Sequence, residues 1–161
     1  MENEKICCPE FDTSVWDEKT ITWDEKLFVT ETIPQFMHMP LPGVFGKAVT
    51  KMMAEIDKAD ARTDIKDFLM LAHDPSPWKS NLYINVTKEV TGLTNVRLSG
   101  TFLVKVFDGP YQDVPKYIRE MEEYAEGKGE KILDYYFYYT YCPKCAKKYG
   151  HNYIVVFAKV S

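Results

Sequence analysis

Apolar positions along the chain switch between two periods. In Thr20–Trp23 and Leu27–Met39 they recur about every second residue, which predicts strands. Pro40, Pro42 and Gly43 mark a turn. Beyond it, Val44, Phe45, Ala48, Val49, Met52, Met53 and Ile56 recur every three to four residues, predicting a helix from about Val44 to Asp60. Asp67–His73 and Asn81–Val90 return to strand patterning. The series then starts again. Gly100–Phe107 reads as a strand, and Asp108, Gly109 and Pro110 as a turn. Val114, Tyr117, Ile118, Met121 and Tyr124 predict a helix from about Asp113 to Glu126. Asp113 suits its cap, and Gly127 and Gly129 its end. Ile132–Tyr141 and Asn152–Val160 are strand-like again.

Both series read strand–helix–strand–strand. The expected fold is therefore α+β, with two pseudo-symmetric halves of about 20–92 and 93–161. Antiparallel sheets carry the helices on one face and leave a central cleft. Residues 1–19 read as a polar N-terminal arm, with Phe11 and Trp16 as docking anchors, and 20–161 as a single domain. A cleft between duplicated halves is a favoured place for a small-molecule ligand.

Alternation decides which side chains share a face. In Asn81–Val90, Leu82, Ile84 and Val86 suit a helix-covered face. Tyr83, Asn85, Thr87 and Glu89 are then assigned to the cleft, although a solvated outer face would account for them equally well. In Asn152–Val160, Tyr153, Val155 and Phe157 correspond to the first set, and Ile154, Val156 and Ala158 to the second. Tyr135–Tyr141 is aromatic on both faces: Tyr135, Phe137, Tyr139 and Tyr141 on one, Tyr136 and Tyr138 on the other. The candidate ligand residues are Trp78, Tyr83, Asn85, Glu89, Phe107, Tyr111, Tyr136 and Tyr138. Aromatic walls hold planar or cationic groups at about 0.5–2 kcal/mol per contact. Glu89 is the candidate general acid or base, with Tyr83 assisting, because an apolar cleft raises a carboxyl pKa towards neutrality.

Composition narrows the function classes. The chain has 161 residues, enough for a core without staples, and 14% are aromatic. A net charge of −4 argues against a general nucleic-acid surface. No run approaches the ~20 apolar residues of a membrane span. The opening Met-Glu-Asn-Glu-Lys lacks a signal-peptide pattern, so the expected location is the cytoplasm. The four cysteines are then expected to be reduced. No cofactor is required. Cys142-Pro-Lys-Cys145, between two expected strands, has the spacing of a zinc knuckle, to be completed by Cys7, Cys8 or His151. A plain turn is the other main reading. A redox pair ranks below both, because no helix N-terminus is expected there to lower a thiol pKa. His38 and His73 have no ligand-spaced partner.

The stretch Gly100–Tyr111 (GTFLVKVFDGPY), followed by an amphipathic helix, resembles the GyrI-like family. These are effector-binding domains of bacterial multidrug-responsive regulators and their free-standing relatives. The doubled strand–helix–strand–strand plan resembles their paired SHS2 modules over roughly residues 27–160. The Cys-Pro start and the Cys-Pro-Lys-Cys segment look like a free-standing bacterial subgroup. With no helix-turn-helix segment ahead of the domain, direct DNA binding is not expected. The resemblance implies a cleft that takes lipophilic, aromatic or cationic compounds. Some free-standing relatives are hydrolases that open cyclopropane-bearing toxic compounds with a cleft acid and aromatic side chains. The family's buried glutamate lies on a late strand of the second half, where this chain has Asp134 and then Tyr135–Tyr139; Glu89 is the carboxylate expected in the cleft. Binding of a lipophilic or aromatic small molecule is the leading reading. A detoxifying hydrolase and a protein-interaction module are the alternatives.

Overall fold

The computed structural model describes residues 10–140 and 143–161. It is a mixed α+β structure with antiparallel strand pairs and three helices among the described residues. The described residues form two compact units, one of 23–100 and one of 10–22 with 101–140 and 143–161.

The first unit contains most of β1 (Lys19–Phe36), then β2 (Met39–Pro40), α1 (Val44–Lys58), β3 (Met70–Ser76) and β4 (Lys79–Asn85). The strands expected over Thr20–Trp23 and Leu27–Met39 are one continuous strand as far as Phe36, β1. The interruption reduces to Glu25, whose φ is 49°. Its N–H donates to Ser99 Oγ at 2.8 Å, and Arg97 donates to its carbonyl at 3.1 Å, so the irregular backbone is held in place. β4 pairs with both β1 and β3, with Tyr83 opposite Thr30 and Leu71. Helix α1 begins after Gly43, whose φ of 77° makes the turn accessible to glycine at little cost. All seven positions of its expected stripe are buried or half-buried. Lys51 on α1 donates to Glu31 Oε1 at 2.9 Å, and Glu31 stands opposite Leu82. The helix therefore lies over the face of Val29, Glu31, Ile33, Leu82 and Ile84. Fully buried side chains of this size contribute about 1.5–3 kcal/mol each.

The second unit contains most of the strand β5 (Thr94–Asp108), then α2 (Val114–Gly127), β6 (Asp134–Tyr139), α3 (Pro143–Tyr149) and β7 (Tyr153–Lys159). β7 is central, antiparallel to β5 on one side and β6 on the other. α2 buries Tyr117, Met121 and Ala125 against Leu103, Phe107, Ile154, Val156 and Ala158. Asp113 sits at the cap position but makes no side-chain capping bond; a short 3-10 turn over Tyr111–Asp113 leads into the helix instead. The helix ends at Gly127, and Gly129 has a left-handed φ of 70°.

Three expectations are corrected here. The strand expected over Asn81–Val90 stops at Asn85, because the Asn85 side chain turns to bond backbone groups ahead of β3. The strand expected from Asp67 starts at Met70, after a 3-10 turn over Ile65–Asp67. Of the segment expected as a turn or knuckle between strands, residues 143–145 open helix α3.

Candidate functional site

Strand alternation gives the sheet of the second unit two aromatic faces. Tyr135, Phe137 and Tyr139 point towards α2, with near-parallel rings spaced 6.3 Å apart. Phe107 is on the same side, stacked on Tyr117 with centroids 4.7 Å apart. Positions 103, 105 and 107 of β5 alternate onto the helix side, and Phe107 packs in the core beneath α2. Tyr111 also lies on this side, its ring 5.3 Å from Tyr139. Burial and the Glu122 carboxylate push the Tyr135 phenol up to about 12 from its ordinary 10.0. The neutral phenol is thus favoured in the folded state. Its contribution to stability is intact below pH 10 and lost as pH rises through about 12. Unfolding measured between these pH values is expected to show a decline in wild type that Tyr135→Phe partly removes.

The opposite face carries Phe102, Val104, Tyr136, Tyr138, Tyr153, Val155 and Phe157. Phe102, Val104, Val155 and Phe157 are fully enclosed, and Tyr136 and Tyr138 are 8% exposed. Tyr136 meets Phe102 edge-on at 5.9 Å. The expected correspondence is reversed on β7, where α2 covers Ile154, Val156 and Ala158. Tyr153, Val155 and Phe157 therefore share the side of Tyr136 and Tyr138. Asp134 is on this side too, two positions before Tyr136, and its Oδ1 accepts from the Tyr135 N–H at 2.9 Å.

The N-terminal arm lies against this second face. Phe11 stands 6.0 Å from Tyr138, edge-on, and 5.9 Å from Tyr153. Trp16 meets Phe157 edge-on at 5.6 Å. Asp17 Oδ1 accepts the Val106 N–H of β5 at 3.0 Å. Phe11, Trp16, Phe102, Tyr153 and Phe157 were not among the expected ligand residues. The odd-and-even pattern of β5 and β7 carried that signal once the helix side was known.

The Gly-Pro-Tyr turn acts as a clasp. The Tyr117 hydroxyl packs against Gly109, where a side chain would collide with it, and donates to the Pro110 carbonyl at 3.2 Å. Asn152 Nδ2 donates to the Gly109 carbonyl at 2.7 Å. Asp108 accepts the Asn152 N–H at 3.0 Å and pairs with His151 Nδ1 at 2.7 Å. Burial works against ionisation of Asp108, but Asn152 and His151 outweigh it and hold the carboxyl below its ordinary pKa. The His151 ring stacks on Tyr153 at 5.0 Å.

In the first unit, Tyr83 lies on the side away from α1, edge-on to Phe28 at 6.3 Å. Asn85 is 3% exposed and serves the backbone: its Oδ1 accepts the Leu69 N–H at 2.8 Å and its Nδ2 donates to the Asp67 carbonyl at 2.7 Å. Both ends of the amide therefore bond the backbone ahead of β3. Glu89 is exposed chain beyond the end of β4, not on the strand face with Tyr83. Trp78 is at the β3–β4 turn, 54% exposed and edge-on to Phe36 at 5.4 Å. With Phe36, Met37, Met39 and Leu41 it belongs to the exposed apolar side chains of this unit.

Of the candidate zinc ligands, Cys7, Cys8 and Cys142 lie outside the described residues. Cys145 is buried in α3. A helix does begin at this motif, so the ground for ranking the redox pair lowest does not hold. Among the described residues, no three His, Cys, Asp or Glu side chains form a metal-binding group.

Comparison with known proteins adds the fold's relatives. The structure is similar to the crystal structure of the EcmrR C-terminal domain, with a TM-score of 0.67 at 11% identity, covering 91% of this chain and 98% of that one. It is also similar to a hydrolase encoded by lin2189 from Listeria innocua, with a TM-score of 0.64 at 14% identity, covering 91% of this chain and 93% of that one. Both likenesses are likenesses of fold. No curated protein matches the sequence. The model of the family described as bacterial hydrolase matches residues 1–160, and the chain belongs to that family.

Proposed function

We propose that the second unit binds a lipophilic aromatic small molecule on the face formed by Phe102, Tyr136, Tyr138, Tyr153 and Phe157. The observation that carries this reading is the crowding of five aromatic rings on the sheet face turned away from α2. Such a surface grips planar compounds by offset and edge-to-face contacts, and its phenol hydroxyls orient their polar groups. The resemblance of Gly100–Tyr111 to the GyrI-like domains, which take lipophilic compounds, supports binding as the use of this fold. We also read the two units as copies of one SHS2 plan, since each has its last strand, β4 or β7, at the centre of three.

The family and the Listeria innocua hydrolase support a second reading, in which the bound compound is hydrolysed. The specific observation is Asp134, a carboxylate on the same face as Tyr136 and Tyr138. In this reading Asp134 takes a proton from water as its oxygen attacks an electrophilic carbon. The bond to the leaving atom breaks, and that atom is protonated in turn by the carboxyl.

One experiment tests both. The protein is incubated with planar aromatic, cationic and strained-ring compounds, and tryptophan fluorescence and compound mass are followed together. Saturable quenching with intact compounds, weakened about 10-fold or more by Tyr138→Ala, is the result expected of binding. A gain of the mass of water, slowed about 100-fold by Asp134→Asn with binding retained, is the result expected of hydrolysis. Saturable binding that Tyr138→Ala leaves unchanged would remove the ligand from this face.

A further inference from the structure

The arm that covers the aromatic face has the features of a displaceable occupant. It is folded on its own hydrogen bonds. Asp12 Oδ1 accepts from Ser14 N and Oγ at 3.0 and 2.6 Å, and the Thr13 carbonyl accepts from Trp16 and Asp17 at 3.1 and 2.9 Å. These bonds move with the arm if it lifts. Its 3-10 turn over Thr13–Val15 buries no residue. The ladders of β7 beneath it do not involve the arm, because β7 pairs along its length with β5 and β6. The junction to β1 is Glu18, whose φ of 55° is rare for a residue with a side chain. A few residues in such conformations are where segments pivot. Beyond the junction the chain is tied to β5 by the contact of Thr22 Oγ1 with Thr101 Oγ1 at 3.1 Å.

What the arm presents to the face is specific. Trp16 sets its indole edge-to-face with Phe157, and the next residue, Asp17, places a carboxylate oxygen on the Val106 N–H. Asp17 serves that N–H, and lifting the arm leaves it needing an acceptor. A ligand that takes the place of Trp16 therefore gains if it brings its own oxygen. We infer that residues 10–18 are an internal stand-in for the ligand, and that the site takes a compound carrying an aromatic ring close to a carboxylate or carbonyl oxygen. This inference rests on the binding reading proposed above and adds the ligand class and the competing segment.

The test uses the full chain and two probes. Indole-3-propionate carries ring and carboxylate; 3-methylindole carries the ring alone. In amide-resolved NMR of the wild type, indole-3-propionate is expected to shift the Trp16 indole N–H and the Val106 amide together. The double variant Phe11→Ala, Trp16→Ala is expected to bind indole-3-propionate about 10-fold more tightly than wild type, since it no longer has to expel the arm. The same variant is expected to bind 3-methylindole about 10-fold more weakly than indole-3-propionate. Equal affinity in wild type and variant, with Trp16 unmoved, would overturn the inference and leave the binding proposal standing. Equal affinity for the two probes would overturn the ligand class. If neither probe binds and the wider compound panel also fails, the binding proposal falls with it. Should the double variant not fold, the Trp16 and Val106 shifts in the wild type decide the question alone.

Discussion

Gly109→Ala is expected to destabilise the protein by about 2–4 kcal/mol. The new methyl group would occupy the space now filled by the Tyr117 hydroxyl. Tyr117 has little freedom to yield. It is 5% exposed, its ring stacks on Phe107 at 4.7 Å, and its hydroxyl bonds the Pro110 carbonyl. Moving it displaces α2 from β5 or strands the hydroxyl. Overpacking of this kind costs about 1–3 kcal/mol, and the lost hydrogen bond adds about 1. Denaturant unfolding monitored by far-UV circular dichroism would measure it. Combining Gly109→Ala with Tyr117→Phe should recover part of the loss, because the clashing oxygen is gone. No recovery would mean that the turn itself, and not the approach of Tyr117, requires glycine.

Asn85→Ala is expected to cost a similar amount, about 2–4 kcal/mol. The amide joins β4 to the chain entering β3 through the Leu69 N–H and the Asp67 carbonyl. Leu69 is itself buried, so its N–H would lose the side-chain acceptor where water has poor access. Asn85→Asp keeps the acceptor and loses the donor, so it should fall between wild type and alanine near neutral pH. Urea unfolding of the three proteins gives the order. An alanine variant as stable as wild type would mean that these two bonds contribute nothing net to the fold.

The helices were the most legible part of the chain. The stripe from Val44 to Ile56 and that from Val114 to Tyr124 repeat over three or more turns, and each repeat reinforces the same face. Strand limits were less legible, because local chemistry decides them. Asn85 looks like one more strand residue until its amide is seen bonding the backbone ahead of β3. That bond ends β4 and leaves Glu89 outside it. Glu25 reads as a break but is accommodated within β1 by Ser99 and Arg97, more than 70 residues away. Helix α3 was hidden because the Cys142–Cys145 spacing suits a metal knuckle as well as the start of a helix. The faces of Tyr135–Tyr139 were legible from alternation alone. Which face meets α2 was not, since both are aromatic. The decisive residues are Ile154, Val156 and Ala158, small and aliphatic enough to sit beneath a helix.

The central position of β7 has a consequence for biosynthesis. A ribosome delivers β5, α2, β6 and α3 before the strand that joins them. Until β7 emerges, β5 and β6 have no partner between them within their unit, and α2 lacks Ile154, Val156 and Ala158 beneath it. The first unit has its own middle strand, β4, by residue 85. Synthesis therefore leaves one half waiting with a tyrosine-rich edge uncovered, the kind of surface on which nascent chains aggregate and chaperones act.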